Sequence, residues 1–164
     1  MKRPSVQLVW FKKDLRVADH QPLATAAKKG PVVCLFIHEP EWWATPECDG
    51  SHRIFLAECL ADLDSSLRQS SVTLLQRQGN AVEVLDRLAN EIDIEALWSH
   101  EETGADWTYQ RDLAVQVWCR QRGIPWSEFR QDGVVRRLKN RNGWAEMWQH
   151  TMHRALLEPP DRLH

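Results

Sequence analysis

The sequence predicts an α/β protein, a Rossmann-like three-layer α/β/α fold around a five-stranded parallel sheet. A short apolar run at residues 6–11 and a continuous one at residues 32–37 are typical of parallel strands covered on both faces, because half-exposed strands alternate apolar with polar residues instead. Strand-like and helix-like segments also alternate along the chain, which indicates right-handed β-α-β crossovers. We predict the strand order 3-2-1-4-5, with the topological switch point between the first and fourth strands.

The first strand, residues 6–11, leads into a charged loop that contains no glycine. This loop is not the GxGxxG turn that brings a backbone close to a pyrophosphate, so any site here is built from side chains. Asp19 is the predicted N-cap of a helix that ends near Gly30. After the second strand, Ser51 is the predicted cap of a long helix. Its apolar positions are Ile54, Leu56, Leu60, Leu63 and Leu67.

The second half of the pattern repeats this alternation. Residues 72–75 form a predicted third strand, and Gly79 with Asn80 turns the chain into a helix. A fourth strand at residues 94–98 precedes a long helix that Gly123 ends, and residues 124–129 form the fifth strand. The apolar positions of these two helices are Val82, Leu85, Leu88 and Ala89, and then Leu113, Val117 and Trp118.

Composition limits the classes of protein to which the chain can belong. A length of 164 residues fits one domain with a short extension, and a formal net charge of −2 gives no overall basic field for nucleic acid. No apolar run is long enough for a membrane span, and the cysteines show no CxxC or Cys/His spacing. We therefore expect a cytoplasmic protein with reduced thiols, no membrane association and no metal site. Nine tryptophans against one tyrosine indicate a preference for large flat rings.

The pattern changes after about residue 130. Residues 134–141 are basic, a Trp-rich helical stretch follows at residues 144–157, and Pro159 and Pro160 end it. We interpret residues 131–164 as a linker and the first helix of a further unit. The alternative is a segment that contacts phosphates, with Trp144 and Trp148 stacking on bases.

Side chains at the ends of three strands are the candidate binding residues. Carboxyl ends of parallel strands meet at one edge of the sheet, where ligands of α/β proteins bind. The candidates are Lys13, Asp14 and Arg16 after the first strand, His38 and Glu39 after the second, Glu101, Glu102 and Thr103 after the fourth, and Arg53 at the side. The nearby Trp42, Trp43 and Trp107 suit a planar ligand with polar edges.

Alternatives remain for these residues. Asp14 and Arg16 also fit structural ion pairs that brace the loop, and Glu101 with Glu102 fits a solvated acidic corner. The sequence contains no GxSxG elbow and no P-loop, and we identify no catalytic residue in it. The residues alone indicate a ligand-binding α/β domain.

The opening stretch resembles the start of the photolyase/cryptochrome family, which reads approximately WFRRDLRxxDNxAL. The matching text here is WFKKDLR at residues 10–16, followed by DHQPL at residues 19–23. Residues 55–67, 74–91 and 109–123 resemble the family's following helices and strand in the same order. The similarity therefore spans about residues 6–130.

This resemblance implies a light-driven flavoprotein. The expected full-length protein is a deoxyribodipyrimidine photolyase that repairs pyrimidine dimers in damaged DNA with FAD. The alternative is a cryptochrome-type blue-light receptor, or a nucleotide-binding module without repair activity. Residues 1–130 resemble the antenna domain of the family, and residues 131–164 would lead toward a C-terminal helical domain that binds FAD and is its partner. By this resemblance the 164 residues alone are not catalytic.

The resemblance also bears on the antenna chromophore. In the folate-binding branch an Asn-Glu pair lies just before the Arg-Asp of the fourth helix, where this chain has Trp107 and Thr108. Neither side chain replaces a carboxylate, so the resemblance implies a deazaflavin or FMN rather than a folate, or a pocket plugged by Trp107. The chain also has His20 where asparagine is common, and Lys12 and Lys13 where arginines are usual.

Overall fold

Five parallel strands form the centre of the computed structural model, which describes residues 4–136 and 138–163. The predicted order β3-β2-β1-β4-β5 is confirmed, and with it the α/β fold class. β1 pairs with β2 on one side and with β4 on the other, so the sheet reverses direction of growth at β1. The strands are β1 Ser5–Phe11, β2 Val32–His38, β3 Leu74–Gln78, β4 Asp93–His100 and β5 Trp126–Phe129.

Helices cover both faces of this sheet. Val9 and Phe11 of β1 belong to one core cluster, and Leu8 and Trp10 belong to the other, so apolar side chains of residues 8–11 are buried on both faces of the sheet. No helix in the described residues is long and apolar enough to cross a membrane. The helices are α1 Gln21–Ala27, α2 Pro40–Trp43, α3 Gly50–Gln69, α4 Ala81–Glu91, α5 Asp106–Arg122 and α6 Trp144–Met152.

Two helices begin at residues other than the predicted caps. His20, not Asp19, is the N-cap of α1, because Nδ1 of His20 accepts a hydrogen bond from the backbone N–H of Leu23. Asp19 instead adopts a positive φ of 47° in the turn before the helix. Asp49, not Ser51, caps α3, because its carboxylate accepts the Ser51 N–H at 2.8 Å.

Other boundaries and faces also differ from the predictions. β3 begins at Leu74 rather than residue 72, because the Val72 N–H still bonds to Leu67 at the end of α3. β5 begins at Trp126 rather than residue 124. Ile54 and Val117 were predicted on apolar faces, but both are exposed because neighbouring residues of their helices face the sheet. The short α2 within the loop after β2 was not predicted.

The last thirty residues return to the α/β unit. α6 ends at Met152 instead of residue 157, because the chain then turns back and the Leu157 carbonyl accepts the Asp19 N–H at 2.7 Å. Leu163 is 5% exposed and lies in the same core cluster as α1 and α3. The end of this segment thus packs on the domain that it was predicted to lead away from.

A connecting segment, described at residues 130–136 and 138–143, leads from β5 to α6. The indole of Trp148 lies so close over Gly133 that a Cβ at that glycine would be 2.1 Å from the ring. The indole N–H of Trp144 donates to the Gly133 carbonyl at 3.0 Å. α6 has no buried residue, so its contacts to the connecting segment are what place it.

Candidate functional site

A crevice of about 720 Å³ lies beyond the carboxyl ends of β1 and β2, between α2, α3 and the start of α5. This volume falls within the usual range for small-molecule sites, and the position is the one that open α/β sheets use for ligands. Its walls combine aromatic and charged side chains. The aromatic members are Trp10, Phe11, Phe36, Trp42, Trp43 and Phe55.

Five of the nine candidate residues line this crevice. They are Lys13, Arg16, His38, Glu39 and Glu102. Arg53 instead lines a smaller neighbouring cavity of about 460 Å³, where its guanidinium lies 5.2 Å from the ring centre of Trp43. The remaining three, Asp14, Glu101 and Thr103, do not line either cavity.

Asp14 is a structural brace beneath the loop. Its Oδ2 accepts hydrogen bonds from Nε2 of His20 at 2.8 Å and Nδ1 of His100 at 2.6 Å, and its Oδ1 accepts the Lys12 N–H. Burial raises the cost of the charge, but the bonds to His100 and His20 outweigh it, so the pKa of Asp14 is held well below its ordinary value. The contacts of Asp14 therefore match the alternative in which it braces the loop, rather than the one in which it binds a ligand.

The three ligand-type atoms of Asp14, His20 and His100 lie within 4.8 Å of one another, which is a spacing compatible with a metal ion. The tautomer of His20 opposes that role. Its Nδ1 accepts the Leu23 N–H, so the ring proton lies on Nε2 and points at Asp14. A metal ion on Nε2 would require the ring proton to move to Nδ1. Two N–H groups, that of Nδ1 and that of Leu23, would then face each other without an acceptor. Hydrogen bonds thus account for Asp14, His20 and Nδ1 of His100, while Nε2 of His100 is buried without a partner among the described residues. Burial lowers the pKa of His20.

Arg111, which the sequence analysis did not select, is the central cation of the crevice floor. It donates to Glu39 at 2.8 Å, to Glu102 at 2.5 Å and to Asp112 at 2.9 Å. Its guanidinium also lies 4.9 Å from the ring centre of Trp10. The three carboxylates outweigh burial and raise the pKa of Arg111 further. The signal in the sequence is the Arg-Asp pair at residues 111–112, which lies in a stretch that resembles the family's fourth helix.

Glu39 and Glu102 are both buried, so the acidic-corner alternative is wrong for Glu102. Glu102 also pairs with Lys13 at 3.1 Å. Burial raises the pKa of Glu39 to about 7, and the nearby positive charge of Arg111 offsets this only in part.

A second group of charges continues the network away from the crevice. Asp112 accepts from Lys12 at 3.2 Å and from Arg136 at 2.8 Å, and Arg136 also bonds Glu128 at 3.2 Å. Burial would raise the pKa of Asp112, but Lys12 and Arg111 keep it low. These residues and those around Arg111 form one continuous set, which we call the ion network. Its members are Lys12, Lys13, Glu39, Glu102, Arg111, Asp112, Glu128 and Arg136.

The other candidates have mainly local contacts. Arg16 donates to the Asp19 carbonyl at 3.0 Å and to Gln131 at 3.3 Å, while still facing the crevice. One carboxylate oxygen of Glu101 is buried without a hydrogen-bond partner among the described residues. Trp107 packs against Trp42 with ring centres 5.8 Å apart and is outside the crevice lining, so it does not plug the cavity.

The sequence of this chain matches a known protein family over most of its length. A DNA photolyase family model matches residues 7–155. The chain belongs to the DNA photolyase family. Among curated relatives, it is 41% identical to Cryptochrome DASH of Gloeobacter violaceus over 67% of this chain and 23% of that protein. It is 37% identical to Cryptochrome-1 of Arabidopsis thaliana over 53% of this chain and 12% of that protein.

Solved structures of the photolyase/cryptochrome family show the same fold. A class III photolyase of Agrobacterium tumefaciens matches 99% of this chain and 35% of its own, with a TM-score of 0.78 and 25% identity. The Synechocystis cryptochrome covers 99% of this chain and 37% of its own, with a TM-score of 0.81 at 19% identity. The chain thus corresponds to the N-terminal α/β domain of the family and spans about a quarter or less of its curated relatives' length.

Proposed function

We propose that this domain is the antenna domain of a light-driven photolyase-type flavoprotein and that its crevice binds a flavin-like chromophore. The full-length protein would repair pyrimidine dimers in damaged DNA, with FAD bound by a C-terminal helical domain that packs on this one. The observation that carries the proposal is the crevice, which joins an aromatic wall to a charged floor at the ligand-binding edge of the sheet. Flat ring systems with polar edges need both features.

Phe55 is the side chain that most directly indicates a ligand. It lines the crevice, yet it is 68% exposed, which is unusual for a phenylalanine. A ring stacked on Phe55 would cover it. The fit is best for a planar chromophore with acceptor groups, because Arg111 and Lys13 supply cations at the floor.

A flavin or deazaflavin suits the crevice better than a folate. The hydroxyl of Thr108 donates to the Ala105 carbonyl at 2.8 Å, and Trp107 packs on Trp42, so neither is placed like a carboxylate that holds a pterin. The photolyase of Sulfolobus tokodaii, which matches this fold with a TM-score of 0.75, contains two FAD molecules, with the implication of a novel light-harvesting cofactor. That protein supports a flavin as antenna in this fold.

Titration of the 164-residue chain with FMN, a 5-deazaflavin and methenyltetrahydrofolate tests the proposal. We expect the first two to bind with quenched fluorescence and an induced circular dichroism band, and the folate to bind weakly. Phe55→Ala should weaken binding about fivefold, because a lost aromatic stack is worth roughly 1 kcal/mol. Ile54→Ala is the matched control, since Ile54 is 67% exposed on the same helix but lies outside the crevice lining. If the chain bound neither FMN nor the 5-deazaflavin, the proposal would be contradicted.

A second candidate is a cryptochrome-type blue-light receptor without repair activity. Its support is that the two curated relatives named above are both cryptochromes. Purified full-length protein, incubated with dimer-containing DNA in blue light and in darkness, separates the two functions. Light-dependent dimer loss supports the photolyase, and its absence with bound FAD supports the receptor.

A further inference from the structure

Arg136 connects three elements of the α/β unit to the connecting segment. One terminal nitrogen donates to the Glu102 carbonyl at 2.6 Å and to Oδ2 of Asp112 at 2.8 Å, and the other donates to Glu128 at 3.2 Å. Its side chain as a whole is 20% exposed. This is the fork geometry that distinguishes arginine from lysine.

Two of the residues that hold Arg136 also hold Arg111: Glu102, which lines the crevice, and Asp112, which lies behind it. The carboxylate of Glu102 pairs with Arg111 and Lys13, while its backbone carbonyl accepts Arg136. Asp112 accepts Arg111 on Oδ1 and Arg136 on Oδ2. Arg111 and Arg136 therefore share Asp112, although only Arg111 faces the crevice.

Shared acceptors make the two arginines interdependent. In a buried network each ion pair is strong, and removal of one partner leaves the others with unbalanced charge. If Arg111 loses an acceptor in the crevice, its ion pair with Asp112 becomes stronger. The ion pair between Asp112 and Arg136 then becomes weaker. If Arg111 gains an acceptor from a ligand, its ion pair with Asp112 weakens, and the ion pair between Asp112 and Arg136 strengthens.

We propose that Arg136 is a positioning residue that couples occupancy of the crevice to docking of the connecting segment. A ligand that offers an acceptor to Arg111 tightens the segment, and by thermodynamic reciprocity a docked segment tightens the ligand. The coupling extends from Glu39 and Glu102 at the crevice, through Asp112, to the segment that leads into α6. Only the ligand half of this inference rests on the proposed function.

The first test needs no ligand. Chymotrypsin cleavage after Leu138, which is exposed in the segment, reports undocking of that segment and is followed by mass spectrometry. We expect Arg136→Gln to speed cleavage about fivefold or more, with Arg136→Lys intermediate because it keeps the charge but loses the fork. Arg120→Gln, an exposed arginine of α5 outside the network, should cleave like wild type.

The decisive variant is at the other end of the network. Glu102→Gln keeps the backbone carbonyl that accepts Arg136 but removes a charge from Arg111, so cleavage after Leu138 should become faster. Glu47→Gln is the matched control, because Glu47 lines the same crevice but is exposed and outside the network. Circular dichroism confirms that each variant is folded. If Glu102→Gln is not, Glu39→Gln replaces it, with cleavage measured above pH 8, where Glu39 carries its charge. Equal cleavage in the crevice variant and Glu47→Gln overturns the coupling.

The second test uses FMN as the probe. We expect saturating FMN to slow cleavage of the wild-type segment and Arg136→Gln to weaken FMN binding about fivefold or more, within the usual range of coupling between sites. Failure of FMN to bind wild type counts against an FMN chromophore, while the ligand-free comparison still decides the coupling. FMN that binds equally to wild type and Arg136→Gln, and leaves cleavage unchanged, overturns the inference even though the crevice is a flavin site.

Discussion

Oδ2 of Asp14 accepts a hydrogen bond from Nδ1 of His100 at 2.6 Å, which ties the loop after β1 to the end of β4. The two residues are 86 positions apart in the chain. Both are buried, and the same oxygen also accepts the Nε2 proton of His20. Asp14 thereby supports the crevice from outside its lining, whereas its neighbours in the family motif, among them Lys13 and Arg16, line the wall.

Replacement of this carboxylate should destabilise the fold. Asp14→Asn removes the charge and turns an NH2 group toward either the Lys12 N–H or the two imidazole donors, and a buried pair broken on one side costs about 3 kcal/mol. Urea unfolding followed by circular dichroism measures the loss. Asp62→Asn, an exposed change on α3, should alter the free energy of unfolding by less than about 0.5 kcal/mol. An equally small effect of Asp14→Asn would contradict the bracing role.

His20 should make stability depend on pH. Burial lowers its pKa from an ordinary value of 6.5. Just below pH 6.5 the imidazole is therefore protonated in the unfolded chain but still neutral in the folded chain. The contribution is therefore present above about pH 6.5 and is lost as pH falls below it. His20→Asn should remove this loss while its side-chain oxygen still caps α1. Free energies of unfolding between pH 5 and pH 8 test this, with the exposed His150→Asn as control.

Glu39 should give a pH dependence of opposite sign. Its pKa is raised from 4.5 to about 7 by burial, with Arg111 opposing and Glu102 and Asp112 adding to the shift. Its contribution to stability is complete below about pH 4.5 and is lost as pH rises through 7. Glu39→Gln should abolish this fall, which we expect to be about 1–3 kcal/mol. Glu41→Gln, exposed two residues later, should retain the wild-type profile.

Leu163 should be part of the domain's folding unit. It packs in the core with α1 and α3, so Leu163→Ala should lower the free energy of unfolding by about 2–3 kcal/mol. Leu156→Ala is the natural comparison, because Leu156 is 76% exposed and should change stability little. Two variants of equal stability would show that the returning segment is not held in solution as it is in the structure.

The sequence predicted the fold well because its signals are local. Unbroken apolar runs, glycines at helix ends and the alternation of segments were enough for five strands in the order β3-β2-β1-β4-β5. The errors at Asp19 and Ser51 were also local, since several capping residues stand next to one another and only the backbone geometry selects among them. The position of the crevice followed from the strand ends, and five candidate residues line it.

What the sequence determined by itself is the family, the parallel sheet and the edge of that sheet where side chains converge. Tertiary structure decided which charges pair. Arg111 reaches Glu39 across 72 positions, and Lys12 reaches Asp112 across 100. Periodicity shows that a face is buried, but it carries no information on which distant carboxylate will meet which cation there. Arg136 was therefore interpreted as part of a basic linker, while the fold placed its guanidinium against the floor of the crevice.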